Sequence, residues 1–171
     1  MAITTSSKGN ETPRSARSPA ALWVDRVLST GNDAAPAVAR VALGAIMFPH
    51  GAQKVFGWFG GYGFSRTLDA FTGKMGIPVV FALLAFAAEL LGAVGLVAGA
   101  LSRVAAFGVA CVMVVAIFTV HLPNGLFMNW TGRQAGEGFE YHVLAIALAL
   151  VVMIDGAGAW SFDRWWSTRQ R

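Results

Sequence analysis

The residues of this 171-residue chain that could do chemistry are few, and they sit in apolar surroundings. His50 and Lys54 stand four residues apart, which on a helix puts both on one face, about 6 Å apart along the axis. Pro49, directly before His50, cannot donate to the carbonyl of Ala45, so the helix is expected to bend or loosen there. Glu89 lies ten residues into a second apolar run, about 15 Å along a helix. His121 ends a third run, and Glu140 begins a fourth with His142 two residues on. An ionisable side chain in hydrocarbon costs about 2.5–3.5 kcal/mol on insertion scales, so each of these needs a partner or a task.

Lys54 can neutralise Glu89 or Glu140. With it, the imidazoles and carboxylates are the donors and acceptors required by a polar head group, a proton path or a divalent metal. The metal reading lacks a signature: there is no HxxxH or ExxH pair, so no metal is expected. A quinone ring fits better, since its two carbonyl oxygens need donors in an apolar pocket open to lipid. His50 and Lys54 would donate, Trp58 and His142 would complete the ring-binding set, and Glu89, His121 and Glu140 would handle protons. A structural lock, in which the same charges pair only to set helix register, stays open. His142, Glu137 and Arg133 lie at the outer boundary, where water makes charge cheap.

The elements that must position these residues are apolar and long. Hydrophobic residues make up 56% of the chain and charged ones 13%, about half the share of a soluble domain, and the mean hydropathy is +0.57. The sequence therefore predicts an all-α, integral membrane protein: an antiparallel bundle of four transmembrane helices over residues 36–163, with spans at about 36–56, 79–100, 103–121 and 139–154. Residues 1–19 read as a disordered polar tail without a secretory signal, 20–35 as a short amphipathic segment for the headgroup region, and 164–171 as a basic tail. Lys8, Arg14, Arg17, Arg26, Arg103, Arg164, Arg169 and Arg171 fall at one end of the spans, and Arg66, Lys74 and Arg133 at the other. By the positive-inside rule both termini are cytoplasmic, in a multi-pass protein of a bacterial-type inner membrane, and the site residues lie in its outer half.

The net charge of +4 marks no nucleic-acid partner, because the basic residues flank the apolar runs. Arg40, one turn into the first span, is expected to snorkel to the inner surface. Asp155 and Asp163 are expected to cap or anchor at the inner boundary. The small residues Ala85, Ala88, Gly92, Gly95 and Gly99 form a stripe expected to face the bundle. Cys111, the sole cysteine, is expected as a buried small hydrophobe and leaves the chain without a CxxC pair, a thiolate cluster or an Fe–S site.

The chain resembles the DoxX family of small four-helix membrane proteins over about Ala39 to Asp163. The stretches that carry this are RVALGAIMFPHGAQKVFGWFGGYGF from Arg40, the IP at Ile77 and Pro78, AELLGAVGLVAG from Ala88, HLPNGLFMNW from His121, GEGFEYH from Gly136 and WSFD from Trp160. His50, Lys54, Glu89, His121, Glu140 and His142 all fall inside them. The family includes a subunit of a thiosulfate:quinone oxidoreductase and members tied to redox or thiol stress. The resemblance thus implies a quinone-interacting subunit or accessory of a membrane oxidoreductase linked to sulfur or redox-stress metabolism.

With no haem-binding CxxCH and no GxGxxG in strand–helix context, haem and NAD are not expected, and electrons would come from a protein partner or the substrate. Two other readings stand beside this one. A non-enzymatic scaffold would dock a partner through its outer loops, and a small-solute or proton carrier would require a homo-oligomer.

Overall fold

The computed structural model describes residues 18–169, so the expected N-terminal tail lies outside the described residues as far as Arg17. The described residues contain no strand. The α-helices are α1 (Pro19–Leu28), α2 (Ala34–Phe56), α3 (Gly63–Asp69), α4 (Val79–Ala98), α5 (Ser102–Ala116), α6 (Glu140–Asp155) and α7 (Phe162–Arg169). Helix α3 continues as a π-helical turn to Lys74, between the first two expected spans, and α7 occupies most of the expected basic tail. A wider π turn at Ile117–His121 also ends α5. The amphipathic segment forms α1.

Helix ends follow local chemistry. The left-handed conformation at Gly57 (φ 71°) ends α2 and that at Gly99 (φ 70°) ends α4, a backbone state that glycine adopts without a Cβ clash. Pro78 precedes α4, where its missing N–H costs nothing. The start of α5 is capped from a distance: the Asp163 carboxylate accepts the N–H groups of Leu101 (2.7 Å) and Ser102 (2.9 Å). The expected capping role of Asp163 is thereby given a partner.

Helix α2 packs along α4, α4 on α5, α5 on α6, and α6 back on α2. Leu43 and Met47 of α2, Leu96 of α4, Val109 and Met113 of α5 and Val152 of α6 fill the centre at the three-to-four-residue spacing of helix faces. The outward faces are also apolar, with Leu91, Phe107, Phe118 and Ile154 each more than half exposed. So broad an apolar surface requires a non-aqueous surrounding. Cys111 lies on this outward side and is exposed, contrary to the expectation of burial. In a protein whose solvent is apolar, a small hydrophobe has no preference for the inside.

Val79–Ala98 and Ser102–Asn124 are long and apolar enough to cross a membrane, with mean hydropathies of 2.3 and 2.4. The 16 residues of α6 rise only about 24 Å, less than the ~30 Å hydrocarbon core.

The closest helix contact is made by glycines of α2. A Cβ on Gly44 would fall 2.7 Å from the carbonyl oxygen of Ala93, and one on Gly51 would fall 2.7 Å from the backbone nitrogen of Leu90. The small-residue stripe of α4 instead receives α5: a Cβ on Gly92 would meet Ala105 at ordinary contact distances, from 3.7 Å, and Ala88 stands under Gly108. Gly51→Ala is therefore expected to cost about 1–3 kcal/mol by forcing two backbones apart. Gly92→Ala is expected to be neutral or slightly stabilising, since alanine favours the helix by up to about 1 kcal/mol. Thermal unfolding of both variants in lipid nanodiscs checks the contrast, and equal melting temperatures would contradict it.

At the end of the bundle that carries α1 and α7, Arg40 is 1% exposed and does not reach the surface as the sequence leads one to expect. Its guanidinium donates to the carbonyls of Leu96, Val97, Ala157, Ala159 and Trp160, at 2.7–3.1 Å. These are the last carbonyls of α4 and the turn before α7, acceptors that a helix end leaves unpaired, so the cation is satisfied without water. Arg103 does the same for the end of α6, bonding the carbonyls of Met153 and Ile154 together with those of Val27 in the last turn of α1 and Ser29 just after it.

Candidate functional site

The opposite end of the bundle gathers the remaining ionisable groups. Lys54 sits in the last turn of α2, and Glu89 lies on the buried stripe of α4 formed by Ala82, Phe86, Ala93 and Leu96. The close approach at Gly51 brings the two helices near enough for the Lys54 ammonium to donate to Glu89 Oε2. The carboxylate is 4% exposed and the lysine side chain 24%, so the pair reaches from the core to its rim. Of the two carboxylates open to Lys54 in the sequence, the fold selects Glu89.

His50 lies one turn below Lys54 with its ring facing Tyr141 of α6, centroids 6.0 Å apart. The next ring along α6 is His142, 5.7 Å from Tyr141, and His142 in turn packs on His121 at 4.0 Å with the planes tilted by 44°. These rings run from the Lys54–Glu89 pair to the end of α5. His121 is held there by its Nδ1, 2.8 Å from the carbonyl of Glu137, an acceptor that places the proton on Nδ1 and leaves Nε2 free to accept. The π turn at Ile117–His121 sets the direction of His121 at the mouth of the bundle.

Two buried polar atoms in this row have no hydrogen-bond partner, the Tyr141 hydroxyl and His142 Nδ1. His142 is 7% exposed, not at a watery boundary as its place in the sequence leads one to expect, because it turns inward against His121 and Tyr141. Such an atom costs about 1–3 kcal/mol when left unpaired, so both point to something that pairs with them. Tyr141 is the residue that sequence reasoning missed. The signal for it was its place between Glu140 and His142, but a tyrosine in an apolar run reads as core.

Glu140 and Trp58 stand apart from the row. Glu140 Oε1 accepts the backbone N–H of Met128 (3.1 Å) and the indole N–H of Trp130 (3.2 Å), while Glu137 Oε2 accepts the N–H of Asn129 (2.7 Å). These two carboxylates fasten the 125–138 loop over the mouth. Trp58, half exposed in the turn after α2, has Phe56 and Phe59 as its ring neighbours. Among the described residues no group of three His, Cys, Asp or Glu side chains could hold a metal ion.

As a whole the site offers an ammonium, a phenol and imidazoles as donors, with a carboxylate and free imidazole nitrogens as acceptors, on one end of an apolar bundle where Glu89 and His142 are buried, Lys54, Tyr141 and His121 half-buried and His50 exposed. That set suits a small oxygen-bearing ring or a chain of exchangeable protons better than a bare charge. The family model named DoxX matches residues 35–122, just over half of the chain, from the start of α2 to the His121 turn. No curated protein and no solved structure matches.

Proposed function

From the premise that this chain belongs to the DoxX family, an all-helical membrane protein family, we propose that it is a quinone-interacting subunit or accessory of a membrane oxidoreductase system linked to sulfur or redox-stress metabolism. In this reading α2, α4, α5 and α6 all cross a bacterial-type inner membrane, and both termini are cytoplasmic. The basic residues at the end with α1 and α7, Arg26, Arg103, Arg164 and Arg169 among them, support that orientation. The 24 Å rise of α6 is then made up by the turns at its two ends and by local thinning of the bilayer.

The observation that carries the reading is the pair of unpartnered buried atoms, the Tyr141 hydroxyl and His142 Nδ1, beside a charged pair in the core. A structural lock satisfies its own polar atoms, whereas a binding site leaves some for its ligand. A quinone would supply the capacity to take up two electrons and two protons. The residues that would hold its oxygens are His50, Lys54 and Tyr141, on two facing helices. Glu89 orients the Lys54 ammonium and is placed to hold a proton. His142 and His121 carry protons between that carboxylate and the mouth of the bundle, and Glu140 holds the loop that covers it. Electrons would come from a protein partner.

The test is retention of quinone by protein purified from its native membrane. His50→Ala and Glu89→Gln are each expected to lower the retained quinone about tenfold or more, and Tyr141→Phe to lower it severalfold through the loss of one hydrogen bond. Unchanged retention in the first two would sink the proposal.

One observation favours the scaffold reading as a second: Trp130 is 84% exposed, Tyr62 78% and Phe127 67%, all on loops at the site end. Aromatic loops of this kind suit either the bilayer interface or a partner. If docking is their task, Trp130→Ala abolishes co-purification of a partner and leaves quinone retention intact.

A further inference from the structure

We propose that α1 and α7 together form a docking surface for anionic phospholipid, a shelf in the headgroup layer at the end of the bundle opposite the candidate site. The proposal rests on the reading above that the bundle crosses a membrane, and is independent of what the site binds.

Neither helix is long enough to span: the 10 residues of α1 rise about 15 Å and the 8 of α7 about 12 Å. Hydrogen bonds fix both at the level where the longer helices stop. The first turn of α7 is tied to the corner between α4 and α5, since the Asp163 N–H donates to the Gly99 carbonyl (2.9 Å) while the Asp163 carboxylate caps α5. Arg103, in the first turn of α5, joins the last carbonyls of α6 to those of Val27 and Ser29 at the end of α1. The chain after α1 also meets the chain before α7, where the Gly158 N–H donates to Thr30 Oγ1 (2.7 Å), and the two helices pack on each other. Bonds of this number make the shelf part of the fold, set at the depth where the spans end.

The outward faces have the composition of interfacial helices. On α7 the face carries Phe162, Trp165 and Trp166, all exposed, with the Arg169 guanidinium 4.0 Å over the Trp165 ring. On α1 it carries Leu22 and Trp23, both exposed, with Arg26 one turn on. Indole rings beside arginine suit the layer between hydrocarbon and water, where the ring keeps its apolar body and the guanidinium reaches phosphate. Charge decides the kind of lipid. No described carboxylate pairs with Arg26, Arg164 or Arg169. Of the carboxylates on the two helices, Asp163 is buried as the α5 cap and Asp25 is half-buried and engaged, while Asp33 and Asp155 belong to the ends of α2 and α6. The flanking sequence adds Lys8, Arg14, Arg17 and Arg171 against Glu11. A basic cluster of this size beside a membrane collects anionic headgroups, each cation near the surface contributing about fivefold in affinity.

The full chain is reconstituted in bilayers of equal parts phosphatidylglycerol and phosphatidylcholine and extracted in mild detergent, and the lipid that stays bound is identified by mass spectrometry. The wild type is expected to retain phosphatidylglycerol over phosphatidylcholine by about fivefold or more. The triple variant Arg26→Gln, Arg164→Gln, Arg169→Gln is expected to bring the ratio close to parity. Its melting temperature in phosphatidylcholine should stay that of wild type, because no described group of the bundle accepts from these guanidiniums. The charge-matched variant Arg66→Gln, Lys74→Gln, Arg133→Gln, altered at the other end, is expected to keep the enrichment. Three results would overturn the proposal: no enrichment by the wild type, which leaves the shelf to a protein partner; enrichment that survives the first triple variant; or an equal loss in both, which reduces the effect to net charge. Release of the wild type from the bilayer by alkaline carbonate would overturn the spanning reading and the proposal with it.

Discussion

Arg40→Ala is expected to destabilise the protein by about 4 kcal/mol or more, placing it among the exceptional single substitutions. The guanidinium is 1% exposed and serves five carbonyls from two separate stretches of chain; Leu96 keeps the Gly99 N–H at 3.3 Å, but the removal leaves the other buried acceptors short of a donor. Hydrogen bonds to a charged group contribute about 1.5–3 kcal/mol each, but they share one side chain, so their sum overstates the loss. Unfolding in lipid nanodiscs should fall by on the order of 10 °C.

Arg40→Lys is expected to recover only part of this. A lysine has three donors around one point, and the carbonyls of Leu96 and Val97 lie on a different element from those of Ala157, Ala159 and Trp160. A melting temperature within a degree or two of wild type for Arg40→Ala would show that the carbonyls find other partners.

The second large effect is expected at the Lys54–Glu89 pair and separates its structural role from its binding role. Glu89→Gln leaves an ammonium without its counter-charge at the rim of the core and is expected to cost about 2 kcal/mol, below the 3–5 kcal/mol of a fully buried pair because Lys54 retains some exposure. Lys54→Met leaves the more deeply buried carboxylate alone and is expected to cost more. The double variant Lys54→Met with Glu89→Leu removes both charges and is expected to come within about 1 kcal/mol of wild type, less than either single charge removal costs.

Quinone retention should not follow that recovery. If the pair acts on a head group, the double variant is as stable as wild type and holds no quinone. If the pair is only a lock, stability and retention return together. Measuring the melting temperature and the retained quinone on the same four proteins decides the point.

The arrangement also implies a division of labour between the two ends of the bundle. Arg40, Arg103 and Asp163 close off helix ends beside α1 and α7, each engaged by backbone groups. At the opposite end Glu137 and Glu140 hold a loop, while the rings behind it keep unpartnered atoms. Unpartnered buried atoms occur at both ends, Ser102 Oγ at the first and the Tyr141 hydroxyl and His142 Nδ1 at the second, but only at the second do they stand in a row with an ion pair.

How much of this was legible in the sequence depends on how local each feature is. The helices at 34–56, 79–98, 102–116 and 140–155 coincide with apolar runs because a long, mostly apolar stretch in an apolar solvent must pair its backbone with itself, as a helix does. The shared face of His50 and Lys54 follows from the 3.6-residue period, and the ends of α2 and α4 from Gly57 and Gly99. All of these are set within a few residues.

The rest is set between helices, and hydropathy is a poor guide there. When the outside of the bundle is as apolar as the inside, a sequence does not disclose which face turns inward, so Cys111 looks buried and Gly44 and Gly51 look ordinary. The choice of Glu89 over Glu140 for Lys54, the burial of Arg40 among five carbonyls, and the row from His50 through Tyr141 to His121 depend on the rotation of each helix about its own axis. The sequence by itself determined the helices and the chemical inventory of the site. Only the packing of one helix on another, a contact between residues dozens of positions apart, decided which of those groups meet.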